Sequence, residues 1–408
     1  MLDSPPDNDT SCPMIPRAAR LGAAREHIEG TRTEREVGMS LRVTARWLAI
    51  VAAGLTLSLF SPQASAQWQV ASADGSSTLK LGVLLQPQGE IIETADAEDH
   101  AQNLFLRRAR ILLGGTYSER WSFFLETDSP NLGKGKADGS KTNDLFIQDV
   151  FVTYSTGDTF KIDAGMMLMP LSHNHETSAG MLLPVDYGPY TFVTSDPLTE
   201  KVGRDYGIQA RGYVLDKHFE YRVGAFQGYR GSDLAGGSGA GTEPFRITTR
   251  AVWYPFEAEI GYFYTGSSLG AKKILALGAT YDVQSSYSTI AADLFYDQPL
   301  ASGAVTFQVD WASMDGDDFL LSLPEQDTWL VEASYYHKET RLGPYLQLAS
   351  RSYALEDASH ADEERMQAGL AWWLSGHKIN VKGAWTRITK DGAPDRDQAL
   401  LQLQVFWY

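Results

Sequence analysis

From Thr78 onward the chain alternates apolar and polar positions with a period of two, as strands with one apolar face do. Phe219, Tyr221, Val223 and Ala225 alternate with Glu220, Arg222 and Gly224. Phe245, Ile247, Thr249, Ala251 and Trp253 alternate with Arg246, Thr248 and Arg250, and Val305, Phe307, Val309 and Trp311 with Thr306, Gln308 and Asp310. The pattern predicts strands near 78–91, 103–116, 119–128, 145–155, 158–167, 204–214, 218–228, 245–254, 273–283, 286–296, 303–312, 327–337, 342–353, 364–374, 377–389 and 397–408. Many are longer than the usual five or six residues, and aromatic residues gather at their ends. Connections alternate tight (Tyr117–Glu119, Gly157–Asp158) with long and Gly/Ser/Asp-rich (Ser129–Asp144, Tyr229–Glu243). A soluble sandwich shares the alternation. Strand length, terminal aromatics and loop asymmetry favour an all-β fold instead, a transmembrane antiparallel β-barrel.

Parity settles the strand number. One further candidate, Glu259–Thr265, is short and lies between Pro255 and the Gly266-to-Gly270 run. A single-chain barrel needs an even number of strands, so this stretch is assigned to a short-side connection. Met314–Gln326 then becomes a long-side loop and the barrel has 16 strands. Its last strand, Leu401 to Tyr408, alternates to its final aromatic residue, where a polar tail would be usual. Such a strand is expected to pair with the first and remove the sheet edge, which in lipid costs several kcal/mol per unpaired group. Leu401, Leu403, Val405 and Trp407 should then face lipid, with Gln402 and Gln404 facing water. That places Tyr408 on the inner parity, so either a bulge near Phe406 corrects it or Phe406 and Tyr408 sit at the rim, where parity matters less.

The front of the chain is organised differently. Met39 opens a basic stretch with Arg42 and Arg46, followed by the apolar run Leu48–Phe60 and an A-x-A pattern at Ala64 and Ala66. The run is shorter than the about 20 residues a spanning helix needs, so 39–66 is expected to be a signal peptide. Residues 1–38 are expected to be a non-native upstream extension, with translation starting at Met39; the alternative is a genuine polar extension ahead of the signal. Residues 67–408 are the barrel. The one cysteine, Cys12, falls in the leader, so thiol chemistry does not enter the barrel. With 35 Lys+Arg against 51 Asp+Glu, the net charge is −16, which disfavours nucleic acid as a partner.

Candidate chemistry lies on the inner face. The longest irregular stretch, Leu168 to Gly203, is rich in Pro, Met and Tyr, and such a loop is expected to fold inward and constrict the barrel. Within it, Ser172-His173-Asn174-His175-Glu176 offers His-x-His beside a carboxylate, but no third ligand at a recognised spacing. No metal or cofactor is therefore expected, and His173 and His175 are assigned to the pore lining. Pairing His173 with Ser172 or Ser178 would give an enzyme reading, but nothing sets a base against a nucleophile. In Arg107-Arg108-Ala109-Arg110, neighbours point to opposite faces, and an arginine facing the bilayer midplane costs about 2–4 kcal/mol. Arg108 and Arg110 should face the lumen, with Arg107 near an interface or at a bulge. The same parity sends Lys161, Arg211, Arg222, Arg246, Arg250, Lys378 and Lys382 inward. Glu126, Asp163, Glu220, Asp293, Asp310 and Glu332 join them, and opposed charges on facing walls select ions.

Several stretches together carry a resemblance. They are Phe105-Leu106-Arg107-Arg108-Ala109-Arg110, Trp121-Ser122-Phe123 to Glu126, Gly165-Met166 with Met169-Pro170-Leu171-Ser172, Thr177-Ser178, Gly203-Arg204-Asp205-Tyr206-Gly207 and the closing Leu401 to Phe406. In this order the chain resembles the phosphate-selective porin O and P family of Gram-negative outer-membrane porins. The resemblance implies a usually trimeric, sixteen-stranded barrel in the outer membrane, in contact with lipid, whose third external loop folds inward. It also implies an arginine-lined path for small solutes or anions such as phosphate. Arg107, Arg108 and Arg110 match the family's arginine-bearing strand, and Arg204 the strand after the constriction loop. The acidic composition and the His173/His175 pair in place of a lysine cluster depart from the pattern. The expected function is a passive diffusion porin, possible anion or phosphate preference being left open; the alternative is a barrel-borne enzyme or adhesin.

Overall fold

The computed structural model describes residues 68–192, 203–230, 243–355 and 360–408. The signal-peptide and leader expectations lie outside them. Among the described residues there are seventeen strands: β1 (Trp68–Ala71), β2 (Thr78–Glu93), β3 (His100–Thr116), β4 (Trp121–Asp128), β5 (Phe146–Ser155), β6 (Lys161–Leu168), β7 (Arg204–Val214), β8 (Phe219–Phe226), β9 (Arg246–Trp253), β10 (Ile274–Gln284), β11 (Tyr287–Pro299), β12 (Gly303–Asp315), β13 (Gln326–His337), β14 (Leu342–Tyr353), β15 (Glu363–His377), β16 (Ile379–Lys390) and β17 (Arg396–Trp407). Strands β2 to β17 each pair antiparallel with the next, and β17 returns to β2 with partners running from Gln398↔Ile92 to Trp407↔Val83. The result is a closed sixteen-stranded barrel with no free edge. Every predicted strand overlaps one of these sixteen.

The extra strand is β1, which the alternation does not announce. It pairs with β2 from Trp68↔Leu81 to Ala71↔Thr78, in the lane where β17 stops at Val83. A four-residue strand thus covers the stretch of β2 that the last strand leaves bare. Residues Glu259–Thr265 form no strand and lie in the 254–273 connection between β9 and β10.

The alternation becomes two faces. On β14, Pro344, Leu346 and Leu348 point outward, while Tyr345, Gln347 and Ala349 are buried toward the barrel axis. Ile111, Trp253, Leu277, Trp329 and Leu403 populate the same outer surface. Mid-strand Leu348 is 45% exposed, so Leu348→Arg should destabilise the folded barrel by about 2–4 kcal/mol. Urea unfolding in lipid vesicles checks this, with Leu348→Ala as the small-residue control. At one end the connections are short (117–120, 156–160, 215–218, 300–302, 338–341), and the long loops (129–145, 169–203, 227–245) sit at the other. The 254–273 connection breaks this rule at the short end.

Strand β17 keeps one register to its tip, without a bulge. Phe406 and Tyr408 therefore do point inward. They pack with Leu84, Leu112 and Ala179, and the Tyr408 ring meets Phe124 at 5.7 Å. A side chain at Gly82 would meet Tyr408 Cδ2 at 2.8 Å, so the inner wall there has room for the ring only because it is bare.

Candidate functional site

The loop after β6 enters the lumen on an apolar stem: Met167, Leu168, Met169 and Leu171 are all buried, and removing them from water holds the stem inside. Ser172 then adopts an extended conformation and its hydroxyl accepts from His175 N, starting a single helical turn, α1 (His173–Glu176). Asn174 N donates to Asp310 Oδ2 at 2.9 Å. Its side-chain oxygen accepts from Gly188 N at 3.0 Å and Thr191 Oγ1 at 2.7 Å, tying the returning arm to the descending one.

The two histidines are structural wedges. His173 stacks on Phe295 at 3.9 Å and Tyr264 at 5.0 Å between ring centres. Its Nε2 lies 2.7 Å from Glu259 Oε2 and its Nδ1 3.2 Å from Gln308 Oε1. His175 packs on Phe192 and over Gly203. There φ is +76° and a Cβ would sit 2.3 Å from the His175 Nε2, so glycine is required both for the turn and for the contact.

Across four strands the register sets basic side chains directly opposite one another: Lys161↔Arg211, Arg211↔Arg222 and Arg222↔Arg250. Like charges at such positions repel, and each is answered by a carboxylate. Arg211 Nε is 2.6 Å from Asp163, Arg222 Nε 2.7 Å from Glu220, and Arg250 Nη1 2.6 Å from Asp293. Glu176 of α1 reaches both Arg222 and Arg250. The second contact, 2.8 Å from Arg250 Nε, lacks the alignment of a hydrogen bond and acts as an ion pair. Lys161 sits lower, at the short-turn rim, 3.5 Å from Asp158. The hydrogen bond from Lys217 and the charge of Lys161 hold that exposed carboxyl below its usual range.

The other arginines are paired as well. The β2–β3 register shifts between Leu85 and Pro87, and this bulge lets Arg107 and Arg108 turn together onto Asp186 of the inward loop, at 2.5 and 2.6 Å. Arg110 meets Asp128 at 2.8 Å and Glu126 at 3.2 Å, and Arg204 meets Asp149 at 3.1 Å. Arg246 Nε is 2.7 Å from Asp282. Lys382 donates instead to the carbonyls of Leu182 and Pro184 in the inward loop, at 2.6 and 2.9 Å. Lys378 departs from its expected place: it lies exposed on the turn between β15 and β16, where strand parity no longer applies.

Three arcs result. Arginines dominate β3 and β7–β9, carboxylates (Asp293, Asp297, Asp310, Glu332) line β11–β13, and amides (Gln347, Gln367, Gln402, Gln404, Gln86, Gln88) line β14 to β2. Apart from Arg107, these side chains are buried, packed against one another and against the inward loop. The sequence pattern did not single out Glu176 or Asp186 as the loop's anchors. It also placed Glu259–Thr265 in a connection without the lumen contacts that Glu259, Tyr262 and Tyr264 make. Their aromatic character in a short-side connection was the available signal.

The model of the phosphate-selective porin O and P family matches residues 92–273. No curated protein matches the chain. Among solved structures, an anion-selective porin from Comamonas acidovorans has a TM-score of 0.54 at 11% identity, covering 81% of this chain and 100% of that one. OmpF of Salmonella typhi in complex with daunomycin has a TM-score of 0.57 at 13% identity, covering 83% and 100%. OmpT of Vibrio cholerae, in its trimer form, has a TM-score of 0.50 at 9% identity, covering 81% and 100%. At these identities the likenesses speak for the fold. With the closed sixteen-stranded barrel and the family match over residues 92–273, the chain is a passive-diffusion porin of the Gram-negative outer membrane, similar over that stretch to the phosphate-selective porin O and P family.

Proposed function

We propose that this porin works as a homotrimer and favours small anions, phosphate among them, within a diffusion path for small hydrophilic solutes. The observation that carries this reading is the basic row Arg211, Arg222 and Arg250 beside the inward loop. A passing oxyanion can take the place of a carboxylate on a guanidinium, which binds both in the same forked geometry. The Comamonas porin's description as anion-selective and the trimer form of OmpT support the reading. His173, the residue a barrel-borne enzyme would need free, has both ring nitrogens engaged by Glu259 and Gln308, which supports a channel.

One observation favours a second reading. Each of these arginines already holds a carboxylate, and Asp297, Asp310 and Glu332 add further acidic groups to the facing wall. A lumen whose arginines are neutralised in this way has little net positive field and would favour cations. The zero-current potential of planar bilayers under a KCl gradient separates the two. Anion preference with phosphate-dependent block is the expected result. A cation-selective potential would retire the anion reading while leaving the diffusion channel standing. Conductance closing in thirds checks the trimer.

A further inference from the structure

The 254–273 connection does not stay at the short-turn end. It runs into the barrel and meets the inward loop in a parallel bridge, Thr177↔Tyr264. Tyr264 N donates to Glu176 O at 2.9 Å, Ser178 N to Tyr264 O at 3.0 Å, and Gly266 N to Met181 O at 2.9 Å. Its side chains then span the lumen from wall to wall. On one side, Glu259 O accepts from Tyr213 of β7 at 2.8 Å and Tyr264 donates to Glu220 of β8 at 3.1 Å. On the other, Ser267 O accepts from His377 of β15 at 2.8 Å, and Ser267 Oγ lies 3.0 Å from Thr306 Oγ1 of β12. Leu269 packs on the cluster around Trp373 and Val185. Tyr264, Glu259 and Ser267 are all buried.

We propose that this segment is a displaceable strap closing the periplasmic exit, and that solutes pass when it withdraws from the lumen. The inference rests on the diffusion-channel reading, because the strap lies in the lumen that a crossing solute would use. Two features make the strap the part that moves. Both of its ends are fixed to neighbouring strands, β9 and β10, so its far tip can swing out without disturbing the barrel pairing. Its hold on the wall of β12 and β15 is the polar contacts of Ser267 beside Leu269, and water entering the lumen can replace the polar ones; Phe263 on Phe124 of β4 and Tyr262 on Phe151 of β5 are the ring contacts that withdrawal gives up. The tip also bends through Leu269 and Gly270, both at positive φ, a local hinge of the kind that absorbs such motions.

The barrel sequence 67–408 carries no cysteine, so a clean lock is available. The Ser267 and Thr306 hydroxyls stand where two sulfurs of a disulfide could join after modest adjustment. In the full-length porin carrying S267C and T306C, oxidation should lower single-channel conductance at least tenfold, and reductant should restore it. A verified disulfide with unchanged conductance would overturn the proposal. Because the double variant could fail to assemble, a second variant replaces 256–272 with a short Asn-Gly turn. Its conductance should rise several-fold with loss of spontaneous closures, and wild-type conductance in that variant would also overturn the strap. Absence of conductance steps from both the wild type and the strap-replaced variant would defeat the channel reading itself, a different failure.

Discussion

Deletion of residues 398–408 is expected to abolish barrel formation, leaving no heat-modifiable folded band after refolding into detergent or lipid. Among the described residues, strand β17 is the only element that pairs with both β16, from Ile379↔Val405 to Ile388↔Arg396, and β2. Without it both neighbours present unpaired N–H and C=O groups to the bilayer, at several kcal/mol for each group. That total exceeds the about 5–15 kcal/mol by which a folded domain is ordinarily stable. Strand β1 cannot stand in, because it reaches only Thr78–Leu81 of β2. Trimming Trp407 and Tyr408 alone is a much milder change. It keeps the ladder through Phe406↔Leu84 and removes mainly the packing of Tyr408 over Gly82 and Gly114. The shorter deletion should fold with a lowered melting temperature, and equal folded yields for the two deletions would show that closure does not depend on β17.

That contrast tracks what was legible in the chain. Period-two alternation locates strands because the same residues must satisfy lipid on one face and the lumen on the other, a constraint that acts residue by residue. It held even at Phe406 and Tyr408, where no bulge intervenes and the two rings point inward at the strand tip. Alternation is blind to β1, since four residues beyond the last strand's tip carry too short a pattern. It also places side chains on a face without saying what they meet. Arg222 and Glu220 both belong to the inner face by parity, yet that Arg222 also meets Glu176 depends on where a loop folds, with no periodicity to follow. Arg107 is the instructive case. Parity alone sends it to lipid, and the energetic penalty for that forecasts the bulge that the β2–β3 register shows. Tyr262 and Tyr264 gave a weaker cue, two tyrosines in a connection at the end where turns are short, and only the fold shows that they lie under the inward loop.

The loop's grip on the barrel is concentrated at Glu176, and Glu176→Ala should be among the most disruptive single substitutions in the lumen. Its carboxylate is fully buried between Arg222 and Arg250, themselves 1% and 2% exposed. Those two arginines face each other across β8 and β9, so losing the shared anion removes attraction and uncovers repulsion at once. Breaking a buried charge network by deleting one partner costs about 3–5 kcal/mol. Here Glu220 and Asp293 each still hold one arginine, which places the expected loss near the lower end, about 3 kcal/mol. The loss falls on the loop before it falls on the barrel, because the strand ladder does not pass through Glu176. Glu176→Ala should therefore retain its wild-type gel mobility at room temperature, melt earlier in detergent, and open the lumen. Single-channel conductance should rise and become noisy as α1 and the Tyr264 bridge loosen together. Glu176→Gln keeps the shape and hydrogen-bonding capacity but not the charge, and should fall between the two. Quiet, wild-type conductance in Glu176→Ala would mean that the loop is held by its apolar stem and by Asp186, with the Arg222–Arg250 clasp incidental.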